Sequence, residues 1–171
     1  MKSIALVNVF FGKFPWYFNF FLKSCSTNPT VIFLIFTDQE RPKNCPANVE
    51  FIPFSLKQFN SLASERLNLK IEIKYAYKLC DFKPAYGIIL SDYLKDYEYW
   101  GITDIDLIFG RIREFITDEM LTTYEVISVR NDEKLFEYKN LGFVSYILNE
   151  EYFSSLDKLL DTDYLFVNYP P

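Results

Sequence analysis

Two aspartates one residue apart, Asp104 and Asp106, stand inside the run Tyr99-Trp100-Gly101-Ile102-Thr103-Asp104-Ile105-Asp106-Leu107-Ile108-Phe109-Gly110. In an extended chain, residues i and i+2 point to one side, so both carboxylates face a common point while Ile105 turns back towards the core. Carboxylates in so apolar a stretch are expensive to bury unless something positive accompanies them. A hard divalent cation, Mg²⁺ or Mn²⁺, suits two carboxylates and in turn neutralises a diphosphate. The alternative for an Asp-x-Asp is a turn in which one carboxylate accepts from a backbone amide.

Other residues could serve the same chemistry. Asn8 lies near the end of an apolar run, and Asp38 directly follows another. Asp38 is able to accept from a ribose or base, or simply to start the turn Thr37-Asp38-Gln39-Glu40. In Phe11-Gly12-Lys13, Gly12 lets the backbone approach a ligand closely. Lys13 then meets phosphate, or the segment is an ordinary turn with a solvated lysine. The stretch Lys78-Leu79-Cys80-Asp81-Phe82-Lys83-Pro84-Ala85-Tyr86-Gly87 sets charges among apolar neighbours just ahead of the aspartates. Lys78 and Asp81, three apart, form a surface pair on a helix, or Asp81 and Lys83 sit at the rim of a pocket with Lys83 near phosphate. Arg111 and Arg113 follow the aspartates and are further basic groups for a phosphate.

The elements that must position these groups follow from periodicity. Ser3–Phe10 and Val31–Phe36 are near-continuous apolar runs without alternation, the pattern of strands buried on both faces in a parallel sheet. Phe14–Ser26 reads as a helix with Pro15 in its first turn, and Asn28-Pro29 ends it. Val49–Pro53 is a short strand, and Ser55 caps a helix that runs to Arg66. Lys70–Tyr75 is an extended connector. Tyr77–Lys95 is mainly helical, divided at Pro84 and Gly87. Tyr97–Thr103 is the strand that delivers the aspartates. Thr117 caps a short helix with acids in its first turn. Glu125–Val129 and Leu141–Leu148 read as strands, and Glu151–Leu160 as a helix. This order is an α/β organisation of one domain over residues 1–171, with right-handed crossovers. Ligands in such sheets bind beyond the carboxyl ends of the strands, where Asn8, Asp38 and Asp104 fall.

Composition removes several function classes. There is no histidine, which excludes Ser-His-Asp and Cys-His catalysis and His-ligated zinc. Cys25, Cys45 and Cys80 are odd in number and widely spaced, as reduced cytosolic thiols are. A net charge of −5 without a basic stripe argues against a nucleic-acid partner. Ser3–Val7 is interrupted by Asn8 and no small-residue cleavage site follows, so a strand is expected there rather than a signal peptide. No apolar run reaches the length of a transmembrane helix. The 18 Phe and 13 Tyr suit strands and sugar-contacting surfaces, with most of them in the core.

The combination of Leu79–Gly87, Trp100-Gly101 and Asp104–Gly110 with Phe11–Pro15 and Phe33–Asp38 resembles a bacterial family of glycosyltransferases of GT-A type. The resemblance covers residues 3–124, and the segment 131–171 diverges. It implies a GT-A-like fold, a mixed and mainly parallel sheet flanked by helices that binds a nucleotide sugar. It also implies that Asp104 and Asp106 hold Mn²⁺ or Mg²⁺ or contact the ribose, that Asp38 binds the nucleoside, and that Asp81 and Lys83 line the donor pocket. GT-A enzymes usually continue further past Asp-x-Asp, often to a histidine that also ligates the metal. Here 65 residues follow Asp106 and none is histidine, so a shortened acceptor part is expected.

The reading that results is a metal-dependent glycosyltransferase with a UDP- or GDP-sugar donor and a glycan or lipid-linked acceptor. It would act in cell-surface polysaccharide synthesis, in the cytoplasm or at the inner membrane face. Glu133, Glu137, Glu150 and Glu151 are acids available as a base, with nothing to choose among them. One alternative is a nucleotide-sugar-binding remnant without transfer. Another is a phosphatase of the haloacid dehalogenase type, against which Leu107 and the missing downstream motifs speak.

Overall fold

The computed structural model describes residues 1–124, 126–128 and 146–149. Among the described residues six strands form one sheet: β1 (Ile4–Phe10), β2 (Val31–Thr37), β3 (Val49–Pro53), β4 (Tyr99–Ile102), β5 (Val126–Ser128) and β6 (Tyr146–Asn149). Their order is β3-β2-β1-β4-β6-β5. The first four are parallel, with Val7 opposite both Leu34 and Ile102, while β6 runs antiparallel to β4 and to β5. The α/β class and the parallel pairing of the first four strands are thus as the apolar runs indicated.

Strand alternation divides the core into two layers. Ala5, Val7, Leu34, Phe36, Trp100 and Ile102 face one side, where they meet Phe59, Ala63 and Leu67 of helix α2 (Leu56–Leu67). Ile4, Leu6, Phe33, Ile35 and Tyr99 face the other and meet Phe18, Phe21, Leu22 and Cys25 of helix α1 (Phe18–Ser26). Both sides of β1 and β2 are therefore covered, which is why their sequences lack polar alternation. Helix α2 starts as expected: Ser55 Oγ accepts from the Gln58 amide and the Gln58 side chain accepts from the Ser55 amide, a capping box. Helix α1 starts four residues later than the sequence suggests. Phe14 lies ahead of it, stacked between Phe10 and Phe18 with ring centroids 5.4 and 3.9 Å away.

Between α2 and β4 the chain departs from the expected α-helix. Residues Ala76–Ala85 wind as a 3₁₀ helix, followed by two single-turn helices, α3 (Tyr86–Ile89) and α4 (Ser91–Leu94). The apolar residues here recur every three positions. Ala76, Leu79, Phe82 and Ala85 all pack on the α2 side of the sheet. A winding of three residues per turn puts those four on one line, which 3.6 residues per turn would not.

Past β4, α5 (Ile112–Phe115) and α6 (Asp118–Thr123) return along the α1 side, and Thr117 Oγ1 accepts from the Met120 amide as the expected cap. Strands β5 and β6 fall within or overlap the segments read as strands. The expected helix at 151–160 and the segment 131–139 lie outside the described residues. All three cysteines are free thiols, Cys25 buried and Cys80 exposed. Among the described residues no helix is long and apolar enough to cross a membrane.

Candidate functional site

The strand order creates one place where a ligand is expected. The chain leaves β1 to build β2 and β3 on one side, then returns to lay β4 on the other side of β1. The strand order thus reverses between β1 and β4, the place at whose carboxyl ends α/β sheets bind ligands. A half-open pocket of about 390 Å³ lies there, within the size range of small-molecule sites. Its walls are Asn8–Phe11 at the end of β1, Tyr17 ahead of α1, Asp104–Asp106 after β4, and the 3₁₀ segment.

The 3₁₀ winding decides which residues of that segment reach the pocket. A second line, Tyr77, Cys80, Lys83 and Tyr86, borders the pocket, joined by Ala76 and Leu79 from the end of the core line. The third line carries Lys78 and Asp81, exposed and paired with each other at 3.2 Å. Lys83 and Asp81 are thus separated by the geometry of the helix. Lys83 enters the site, and Asp81 forms the surface pair with Lys78. Leu79 and Ala85 are buried and Phe82 meets Phe59 edge-on at 5.9 Å, so the winding that aims Lys83 is anchored.

The two aspartates are not alike. Asp104 follows β4 by two residues and receives the Lys83 ammonium on both carboxylate oxygens, at 2.6 and 2.7 Å. The pair is partly enclosed, with 21% of the Lys83 and 43% of the Asp104 side chain exposed. Asp106 sits in a turn, exposed, with no hydrogen bond or ion pair to other described residues. Ile105 between them is buried in the α1-side layer. The strand itself ends at Ile102, so the aspartates lie beyond the sheet rather than in it, yet both border the pocket. Among the described residues no three carboxylates or thiols cluster as a complete metal cage.

Two buried side-chain amides fix this arrangement. Asn8 Nδ2 donates to the Thr103 carbonyl at 2.8 Å, tying the end of β1 to the residue before Asp104. Asn28 holds the far end of the aspartate loop. Its Nδ2 donates to the Gly110 carbonyl at 2.8 Å and its Oδ1 accepts from the Ile112 amide at 2.7 Å. Asn28→Ala leaves those groups without their partners. It is expected to lower unfolding free energy by about 2–3 kcal/mol, read by urea denaturation. An unchanged midpoint would show that water replaces the amide.

The remaining sequence candidates lie just outside the pocket walls. Gly12 adopts φ +96°, a left-handed conformation that strains other residues, and its amide donates to Asp38 Oδ1 at 2.9 Å. The Gln39 side chain donates to the same oxygen. These donors, Gln39 first and then Gly12, hold the Asp38 carboxyl below the usual carboxylate range. Asp38 therefore fastens the loop after β1 to the loop after β2. Lys13 is exposed. Arg111 pairs with Glu114, and Arg113 with Asp118 and the Lys2 carbonyl. Glu133, Glu137, Glu150 and Glu151 lie outside the described residues.

Tyr17, Tyr77 and Tyr86 were not anticipated at the site. Tyr86 is buried and donates to the Leu79 carbonyl at 3.2 Å, and burial pushes its hydroxyl far above the ordinary tyrosine value. Tyr77 is largely exposed. The density of tyrosine in the sequence was the available signal, without positions.

A family model described as a family of unknown function (DUF6625) matches residues 6–167, and the chain belongs to that family. No curated protein matches the sequence.

Proposed function

We propose that this member of the DUF6625 family is a GT-A-like glycosyltransferase that takes a nucleotide-sugar donor with the help of Mn²⁺ or Mg²⁺. The observation that carries the reading is the meeting of Lys83, Asp104 and Asp106 in one pocket at the carboxyl ends of β1 and β4. That placement supports a phosphate-bearing ligand, since a fixed ammonium and a hard-cation donor pair serve the two ends of its charge.

The residues present fit a divalent ion. Both groups offered are carboxylates, and Mg²⁺ is commonly held by one or two carboxylates plus substrate phosphates rather than by a full protein cage. Asp104 and Asp106 would hold it. When bound, the ion supplies positive charge that stabilises a departing diphosphate. Lys83 adds a second cation on the same side of the pocket. Asn8 keeps the Asp104 loop registered to β1. The rings of Tyr17 and Tyr77 offer apolar faces on which a base or sugar stacks. A cell-surface polysaccharide as the product, and a cytoplasmic or inner-membrane-face location, belong to the same proposal.

Release of nucleoside diphosphate from a panel of UDP- and GDP-sugars, with MnCl₂ and with EDTA, tests the proposal. Turnover or slow donor hydrolysis that requires the metal is expected. Donor binding with neither transfer nor hydrolysis would favour a binding remnant. Release of phosphate from sugar phosphates would favour the phosphatase chemistry instead.

A further inference from the structure

The two aspartates stand in opposite states, and that difference has a functional reading. Asp104 has both oxygens occupied by the Lys83 ammonium, whereas Asp106 has no partner among the described residues. A cation approaching the pair meets one free carboxylate and one already neutralised. At a few ångströms, repulsion between a divalent ion and an ammonium is substantial in a half-enclosed site. Asp104 becomes available to the ion only if Lys83 is given another anion. The pocket offers that exchange, because Lys83 borders the same space a diphosphate would enter.

We infer that Lys83 is an internal counter-cation that keeps Asp104 from metal until a diphosphate takes over its ammonium. Diphosphate and metal then load the site as a coupled pair, and each strengthens the other by the same factor. The placement of Lys83 supports this role. Its position on the pocket line of the 3₁₀ helix, with Leu79, Phe82 and Ala85 anchored in the core, holds the ammonium where both partners are reachable. This inference rests on the proposed metal-binding role of Asp104 and Asp106, and the test separates the two.

The test uses the full chain with two simple probes and no turnover. Binding of MnCl₂ alone is followed by loss of the free-ion electron paramagnetic resonance signal. Binding of inorganic pyrophosphate alone, in EDTA, is followed by calorimetry. Lys83→Met keeps the length of the side chain and removes its charge. It is expected to bind Mn²⁺ at least tenfold more tightly than the parent, and pyrophosphate at least tenfold more weakly. Lys83→Arg, which keeps the charge, is expected to stay near the parent in both. Asp106→Asn is expected to abolish Mn²⁺ binding. Mn²⁺ affinity that depends on Asp106 but does not rise in Lys83→Met would overturn the role given to Lys83 and leave the metal site standing. Mn²⁺ binding indifferent to Asp106, or none in any variant, would overturn both. Matching far-ultraviolet circular dichroism and melting curves for all variants certify that the comparison is between folded proteins.

Discussion

Replacing Asp106 by asparagine is expected to lower metal-dependent donor turnover by about 10²–10³-fold, the range seen when a group that stabilises developing charge is removed. The expectation follows from the state of the residue. Asp106 is exposed, borders the pocket and makes no hydrogen bond or ion pair among the described residues. Nothing described in the fold leans on it, so its loss is expected to change unfolding free energy by less than about 0.5 kcal/mol. Asp104→Asn is expected to cost comparable activity, but it also deprives Lys83 of its partner. Asp106→Asn is therefore the cleaner variant. Steady-state release of nucleoside diphosphate with Mn²⁺, alongside thermal melts, reads both quantities. Full turnover in Asp106→Asn with unchanged metal dependence would remove the carboxylate pair from the proposed site.

The largest effect on the fold is expected at Gly87. A β-carbon built there would lie 2.3 Å from Cζ2 of Trp100, and 2.9 and 3.0 Å from Cε2 and Cη2. Trp100 is buried on β4, in the α2-side layer. Helix α3 therefore lies flat on the indole, and no side chain fits between them. Gly87→Ala forces the ring or the helix to move in a packed core. It is expected to cost about 3 kcal/mol, the upper part of the overpacking range, and about 6–12 °C in Tm for a chain of this size. Trp100→Phe replaces the indole by a smaller ring and removes Cζ2, the atom nearest the added carbon, so the double variant is expected to be less destabilised than the sum of the singles. A Gly87→Ala protein that melts within about 2 °C of the parent would show that α3 yields easily. Because Tyr86 precedes Gly87 and borders the pocket, the same contact indirectly positions the site wall.

Much of the scaffold could be read before folding. The runs Ser3–Phe10 and Val31–Phe36 are apolar and branched without alternation, which a sheet covered on both faces accommodates. Ser55 and Thr117 are local signals whose hydrogen bonds lie within three residues, so they were legible as caps. The 3₁₀ segment was not. Its spacing of three at Ala76, Leu79, Phe82 and Ala85 resembles one face of a short α-helix, and packing against α2 and the sheet selects between the two windings. That choice moves Lys83 into the pocket and Asp81 out of it.

What the sequence determined by itself is therefore the inventory and its axis. Its apolar runs dictate a mainly parallel α/β sheet. Its apolar run from Tyr99 puts Asp104 and Asp106 after a strand end. Its composition removes histidine chemistry. What only the tertiary structure decided is which of those groups meet. Lys83 and Asp104 are 21 residues apart, on either side of two short helices and a strand. Asn8 and Thr103 are 95 apart. Such pairs form only when the crossover from β3 returns beside β1, because a charge finds its partner through the path of the backbone, and spacing along the chain carries no record of that path.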